Sequence, residues 1–152
     1  MITVPTTVYE LEDQLAPRLG APHQDIVSAL LAIVRHISRK LNSRAPVRPA
    51  VDEALAVLEA WCGGKQELEP VLAASESIEN TLNAPRGPAR GSLEHDVLLL
   101  VLGALRKARY DDHDDWPSEV VGTAADALCR LGEEEPRAVK AIADILQRHG
   151  IL

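Results

Sequence analysis

Phenylalanine is missing altogether, and the 152 residues hold only 2 Trp, 2 Tyr, 1 Met and 2 Cys. No aromatic interleaves with the basic run from Arg35 to Arg48, which makes that run weak evidence for a surface that stacks bases. The cysteines form no CxxC pair and no signal peptide opens the chain, so a reducing, cytoplasmic setting is expected in place of a disulfide scaffold. Long apolar runs are absent too. The longest, Val97 to Leu102, falls far short of the ~20 residues of a membrane span, so no membrane partner is expected. No segment alternates apolar and polar residues as a strand does, and without strands a Gly-rich phosphate loop has no place. Positive charge is the minority sign: 16 Lys and Arg against 23 Asp and Glu give a net −7, which speaks against a general nucleic-acid coat.

What is present is 46% hydrophobic and 26% charged, the balance of a soluble globular chain. A single helical domain over residues 1–152 is expected. A chain of this size buries roughly 70% of its unfolded surface. Periodicity is helical nearly throughout. Thr7 and Glu10 make a capping box for a first helix that turns Val8, Leu11 and Leu15 inward and stops near Gly20. A second, after Pro22, aligns Ile26, Leu30, Ile33, Val34, Ile37 and Leu41 and ends at Asn42 and Ser43. Pro49 opens a third that runs through Leu58 and Trp61 to Gly63 and Gly64. The fourth starts around Pro70, or a turn earlier, and carries Val71, Leu72, Ile78 and Leu82; residues 84–92 then form an irregular Pro/Gly/Arg loop.

The fifth helix, from about Leu93 to Tyr110, is apolar all round over Val97–Leu102, so neighbours must cover more than one of its faces. Gly103 lets another helix approach closely, and acids in the first turn with bases in the last match the helix dipole. Trp116-Pro117-Ser118-Glu119 opens a sixth helix with Val120, Val121, Ala124, Ala127, Leu128 and Leu131 inward, and Glu133 to Pro136 start a seventh closed by Gly150. The pattern predicts an all-α fold: a compact antiparallel bundle of six or seven helices around the Leu/Val-rich fifth. A short α-solenoid of helix pairs is the alternative, although no repeated residue pattern relates the pairs.

Charge is uneven. Between Ile26 and Val51 no acid occurs, while Arg35, Arg39, Lys40, Arg44 and Arg48 give a local +5 and leave −12 for the remainder. Arg35, His36, Arg39 and Lys40 fall opposite the apolar stripe, a patch suited to an acidic partner or a phosphate. A solvated face, with cations favoured in the last turn, is the plainer reading. The acidic counterpart is Asp111, Asp112, Asp114, Asp115 and Glu119 around His113, without the glycine and distal glutamate of a Ca²⁺ loop.

The five histidines form no HxxH or HExxH pair. In an up-down bundle His23, Cys62, His113 and His149 would share one end with Asp111 and Asp115, the one route to a composite metal or catalytic site. His95 lies at the other end of the fifth helix, roughly 25 Å from His113. Neither cysteine has a base beside it in sequence, and no catalytic residue or cofactor is assigned. Trp116, next to Pro117 and near Tyr110, is either a half-exposed binding anchor or a staple at the helix entry.

The segment from Val51 through Trp61, Gly63 and Gly64 to Leu68 resembles small all-helical immunity proteins of bacterial toxin systems. In those, a helix ending in Trp and a Gly turn precedes an Ala-rich helix. Further downstream, where Ala-rich helices are frequent in them, this chain has its Leu/Val-rich fifth helix. The likeness covers under a third of the chain. It implies a cytosolic inhibitor that binds a toxin, performs no chemistry and presents acidic surface to a basic partner. The leading expectation is thus a non-enzymatic protein-binding module, with Arg35, Arg39, Lys40, Arg44, Asp112, Asp114 and Trp116 as contact residues. A helical metal-dependent enzyme or metal protein using His23, His113, His149, Asp111 and Asp115 is one alternative, and a regulator docking nucleic acid through the basic helix is another. A dimer is compatible with the pattern.

Overall fold

The computed structural model describes residues 4–152, which form seven α-helices and no strand. Thr7 caps α1 (Val8–Leu15), its Oγ1 accepting the Glu10 N–H at 3.1 Å. The Glu10 carboxylate accepts from the Thr6 N–H at 2.9 Å, one residue earlier than a strict capping box requires. The helix stops short of the expected Gly20 because Pro17 has no N–H to return to Asp13, and a 3₁₀ turn over Ala16–Arg18 follows. α2 (His23–Ser38) likewise ends before Asn42. The Lys40 and Leu41 N–H groups bond three residues back, and Arg48 Nη1 donates to the Ser38 carbonyl at 2.8 Å.

α3 (Arg48–Cys62) and α4 (Leu68–Asn83) flank the glycine turn, where Gly64 takes a φ of 105° and the Lys65 N–H bonds back to Ala60. After the irregular 84–92 connection, Ser92 caps α5 (Leu93–Arg109) by accepting the His95 N–H at 3.2 Å. A π turn over Pro117–Gly122 leads into α6 (Thr123–Arg130), and α7 (Glu135–Arg148) follows. Among the described residues, no helix is long and apolar enough to cross a membrane.

α5 is central, packed against α2, α3, α4, α6 and the π turn. Of Val97–Leu102 only Leu99 reaches solvent, at 36% exposure. Gly103 does what its position suggested: a Cβ there would stand 2.8 Å from Val120 Cγ2, so the π turn can only lie this close over glycine. α2 starts beside the ends of α3 and α5 and ends beside the start of α3, which makes it antiparallel to α3. A solenoid would pair each unit only with its neighbours. Here α2 meets α5 and α7, and α1 meets α7, so the helices close into a bundle. Leu131, expected inward, is 48% exposed, because it caps α6 where the chain turns away at Gly132.

Candidate functional site

The composite His/Asp site comes together only in part. His23 opens α2 and donates from Nε2 to the Lys107 carbonyl at 2.6 Å, while its ring meets Trp61 edge-on at 4.8 Å between centroids. Its Nδ1 lies 3.7 Å from the Asp111 carboxylate, and Lys107, fully buried, donates from Nζ to the Asp111 backbone carbonyl. Gln24 reaches the Cys62 carbonyl at 2.8 Å. On the following loop His113 pairs with Glu119 at 2.8 Å, and Arg106 approaches the other oxygen of Glu119 at 3.6 Å.

These contacts tie helix ends together: each imidazole already faces a carbonyl or a carboxylate. His149 is elsewhere, just past the end of α7 and beside α2, and Asp115 is exposed, its carbonyl accepting from Ser118. The expected gathering of His23, His113, His149, Asp111 and Asp115 is therefore not what the topology builds, because the C-terminal end of α7 lies against α2 beside Ser28 to Arg39, away from His23. Among the described residues no group of three or more His, Cys, Asp or Glu side chains is placed to hold a metal ion. Burial pushes both thiols above their ordinary range, with Glu135, Asp126 and Glu133 adding to the effect at Cys129, so neither is a ready thiolate.

Trp116 is fully buried at the head of the π turn, which corrects its assignment as a contact residue. Its large apolar area wins over its one polar atom: the indole N–H finds no acceptor among the described residues. Asp112 and Asp114 are exposed as expected, and Asp114 borders a shallow cavity with His23 and Asp111.

The basic run divides. Arg48 is engaged by the Ser38 carbonyl and by Asp52 at 3.2 Å, and Arg44 lies beyond α2 in the turn whose backbone Asn42 caps. Arg35, His36 and Arg39 line a groove of about 380 Å³ between α2 and α7, where Arg148 and His149 face them over Leu31 and Ile145. Arg86 and Arg90 do not border it. Arg35 Nη2 meets Glu59 of α3 at 2.9 Å. Asp144 pairs with Lys140 at 2.9 Å, and its carbonyl accepts Arg148 Nε at 3.3 Å. Arg39, Lys40 and Arg148 enter no ion pair among the described residues. Burial pushes the His36 imidazole below its ordinary value; Lys40, Arg39 and Arg148 act in the same direction and Glu133 opposes them.

No family model, no curated protein and no solved structure matches the chain. What the groove can do rests on its chemistry: guanidinium and imidazole groups line it together with Ser28 and the apolar Leu31, Ala32 and Ile145, an arrangement suited to receiving anions. Arg148 and His149 were absent from the expected contact set. The signal was present, two cationic types one turn beyond Ile145, but it gains meaning only once α7 is known to lie on α2.

Proposed function

We propose that the chain is a non-enzymatic protein-binding module whose α2–α7 groove docks an acidic surface of another protein. One observation supports this above the others: among the described residues Arg39, Lys40 and Arg148 enter no ion pair, on a molecule of net charge −7. Of the acids nearby, Glu59 pairs with Arg35 and Asp144 with Lys140, which leaves these three cations to an incoming partner. Such a concentrated field steers an oppositely charged partner and fixes its register. Neutralising a toxin by covering it is the concrete form that the likeness of residues 51–68 adds, with the charges reversed: the groove is basic where those proteins present acidic surface. A cytoplasmic setting suits the free thiols of Cys62 and Cys129.

Affinity capture from host lysate, run side by side with the wild type and an Arg39→Glu/Arg148→Glu chain, tests the reading. The wild type should retain an acidic protein that salt strips away and that the double variant fails to retain. Recovery of no protein, or of the same protein by both chains, overturns it.

A further inference from the structure

The cations of the groove differ in how far they are already engaged. Arg35 has one side of its guanidinium on Glu59, and Arg148 has its Nε on the Asp144 carbonyl, which leaves its terminal nitrogens free. Arg39 has no ion-pair partner among the described residues, and His36 and His149 add imidazoles from the two opposite walls. Of the surrounding acids, Glu59 is held by Arg35 and Asp144 by Lys140, and Glu133 acts on His36 from the turn before α7.

Two chemical features narrow what would fill such a space. Guanidinium forks arriving from two helices match a tetrahedral oxyanion with several acceptor oxygens better than a single carboxylate, which one fork alone would satisfy. The groove, at about 380 Å³, is far larger than a bare ion and is floored by Leu31, Ala32 and Ile145. An anion carried on a short carbon stem would use both the rim and the floor. We propose that the α2–α7 groove binds a phosphomonoester, its phosphoryl oxygens between Arg39 and Arg148 and its stem on the apolar floor. This rests on the reading of the same groove as the docking face, and it specifies the chemistry recognised there. Because the groove is read as a protein-docking face, the ester is one carried on a phosphorylated side chain of a protein, and a small phosphorylated molecule is the competing source.

Calorimetric titration of the full chain separates them, with a short phosphoserine peptide, its serine counterpart and glycerol 3-phosphate as probes. The phosphoserine peptide is expected to bind at low salt and the serine peptide to give no heat. Tighter binding of the peptide than of glycerol 3-phosphate is expected, and equal or weaker binding of the peptide overturns the assignment to a protein side chain. Arg39→Gln with Arg148→Gln should weaken the bound ester by at least about tenfold. Both side chains are exposed, so helicity and Tm should not change. Absence of heat with either ester at millimolar concentration, equal binding of the two peptides, or indifference to the double variant overturns the proposal. If the esters fail while the acidic protein is still captured, the phosphomonoester assignment falls and the docking function stands.

Discussion

Asp96 shows how one residue can carry more than its local pattern suggests. In sequence it is an acid in the first turn of α5, where the helix dipole favours it. In the fold it is only 4% exposed, and Arg130 of α6 reaches it at 2.5 Å. A buried carboxylate that loses its partner keeps its desolvation cost, so Arg130→Ala should destabilise the protein by about 2 kcal/mol, with the exposed half of the arginine moderating the loss. Urea unfolding checks this, and the Asp96→Asn/Arg130→Ala chain should recover part of the stability. A double variant no more stable than the single one would show that the carboxylate was never the liability. The pairing spans 34 positions and was not legible, since nothing local to either residue names the other. Lys107 hid in the same way: a last-turn cation by pattern, it is wholly buried, its ammonium on the Asp111 carbonyl.

At the level of the helix, starts and stops were largely readable because they depend on short-range chemistry. Thr7, Pro49 and the Gly63-Gly64 turn act where their side chains or missing N–H groups dictate. Ends that depend on a distant partner were not. α2 finishes at Ser38 with help from Arg48, and Trp116 turns inward because the π turn seats it under the surface. The π turn in its turn depends on Gly103. Ala at this position would gain up to about 1 kcal/mol of helix propensity, yet its Cβ would press on Val120 at 2.8 Å and Glu119 Cβ at 3.2 Å. Overpacking of this kind costs more than the propensity returns, so Gly103→Ala should lower stability by about 1–2 kcal/mol. Thermal unfolding followed by circular dichroism decides it, and a rise in Tm would mean that the π turn shifts freely.

Over the whole molecule, the bundle and its central helix followed from periodicity, and the segregation of charge followed from composition. The groove did not, because it exists only where α7 crosses the side of α2, a packing choice set by apolar faces that several helices share. That packing carries a pH signature. The His36 imidazole is held below its ordinary value of about 6.5, so as pH falls the unfolded chain takes up a proton before the native one. Stability should therefore decline between pH 7 and pH 5, and less steeply in His36→Gln; identical slopes in urea titrations would remove the histidine from the account. Glu12 has the opposite sign. Burial, and then Asp126, raise its carboxyl, so its favourable contribution is present at acid pH and is lost as pH rises through the raised value.

Arg18 donates to the carbonyls of Gly150 and Ile151, at 3.3 and 2.7 Å, beside the seam where α1 lies on α7. A string of helices peels from whichever tip is loosest, one member after another. Joined at this seam, the string becomes a circuit with no loose tip, and a helix can leave only by breaking contacts on two sides at once. Loss of structure is thereby made a collective event, and a partner docked across α2 and α7, as proposed, would restrain the entire circuit.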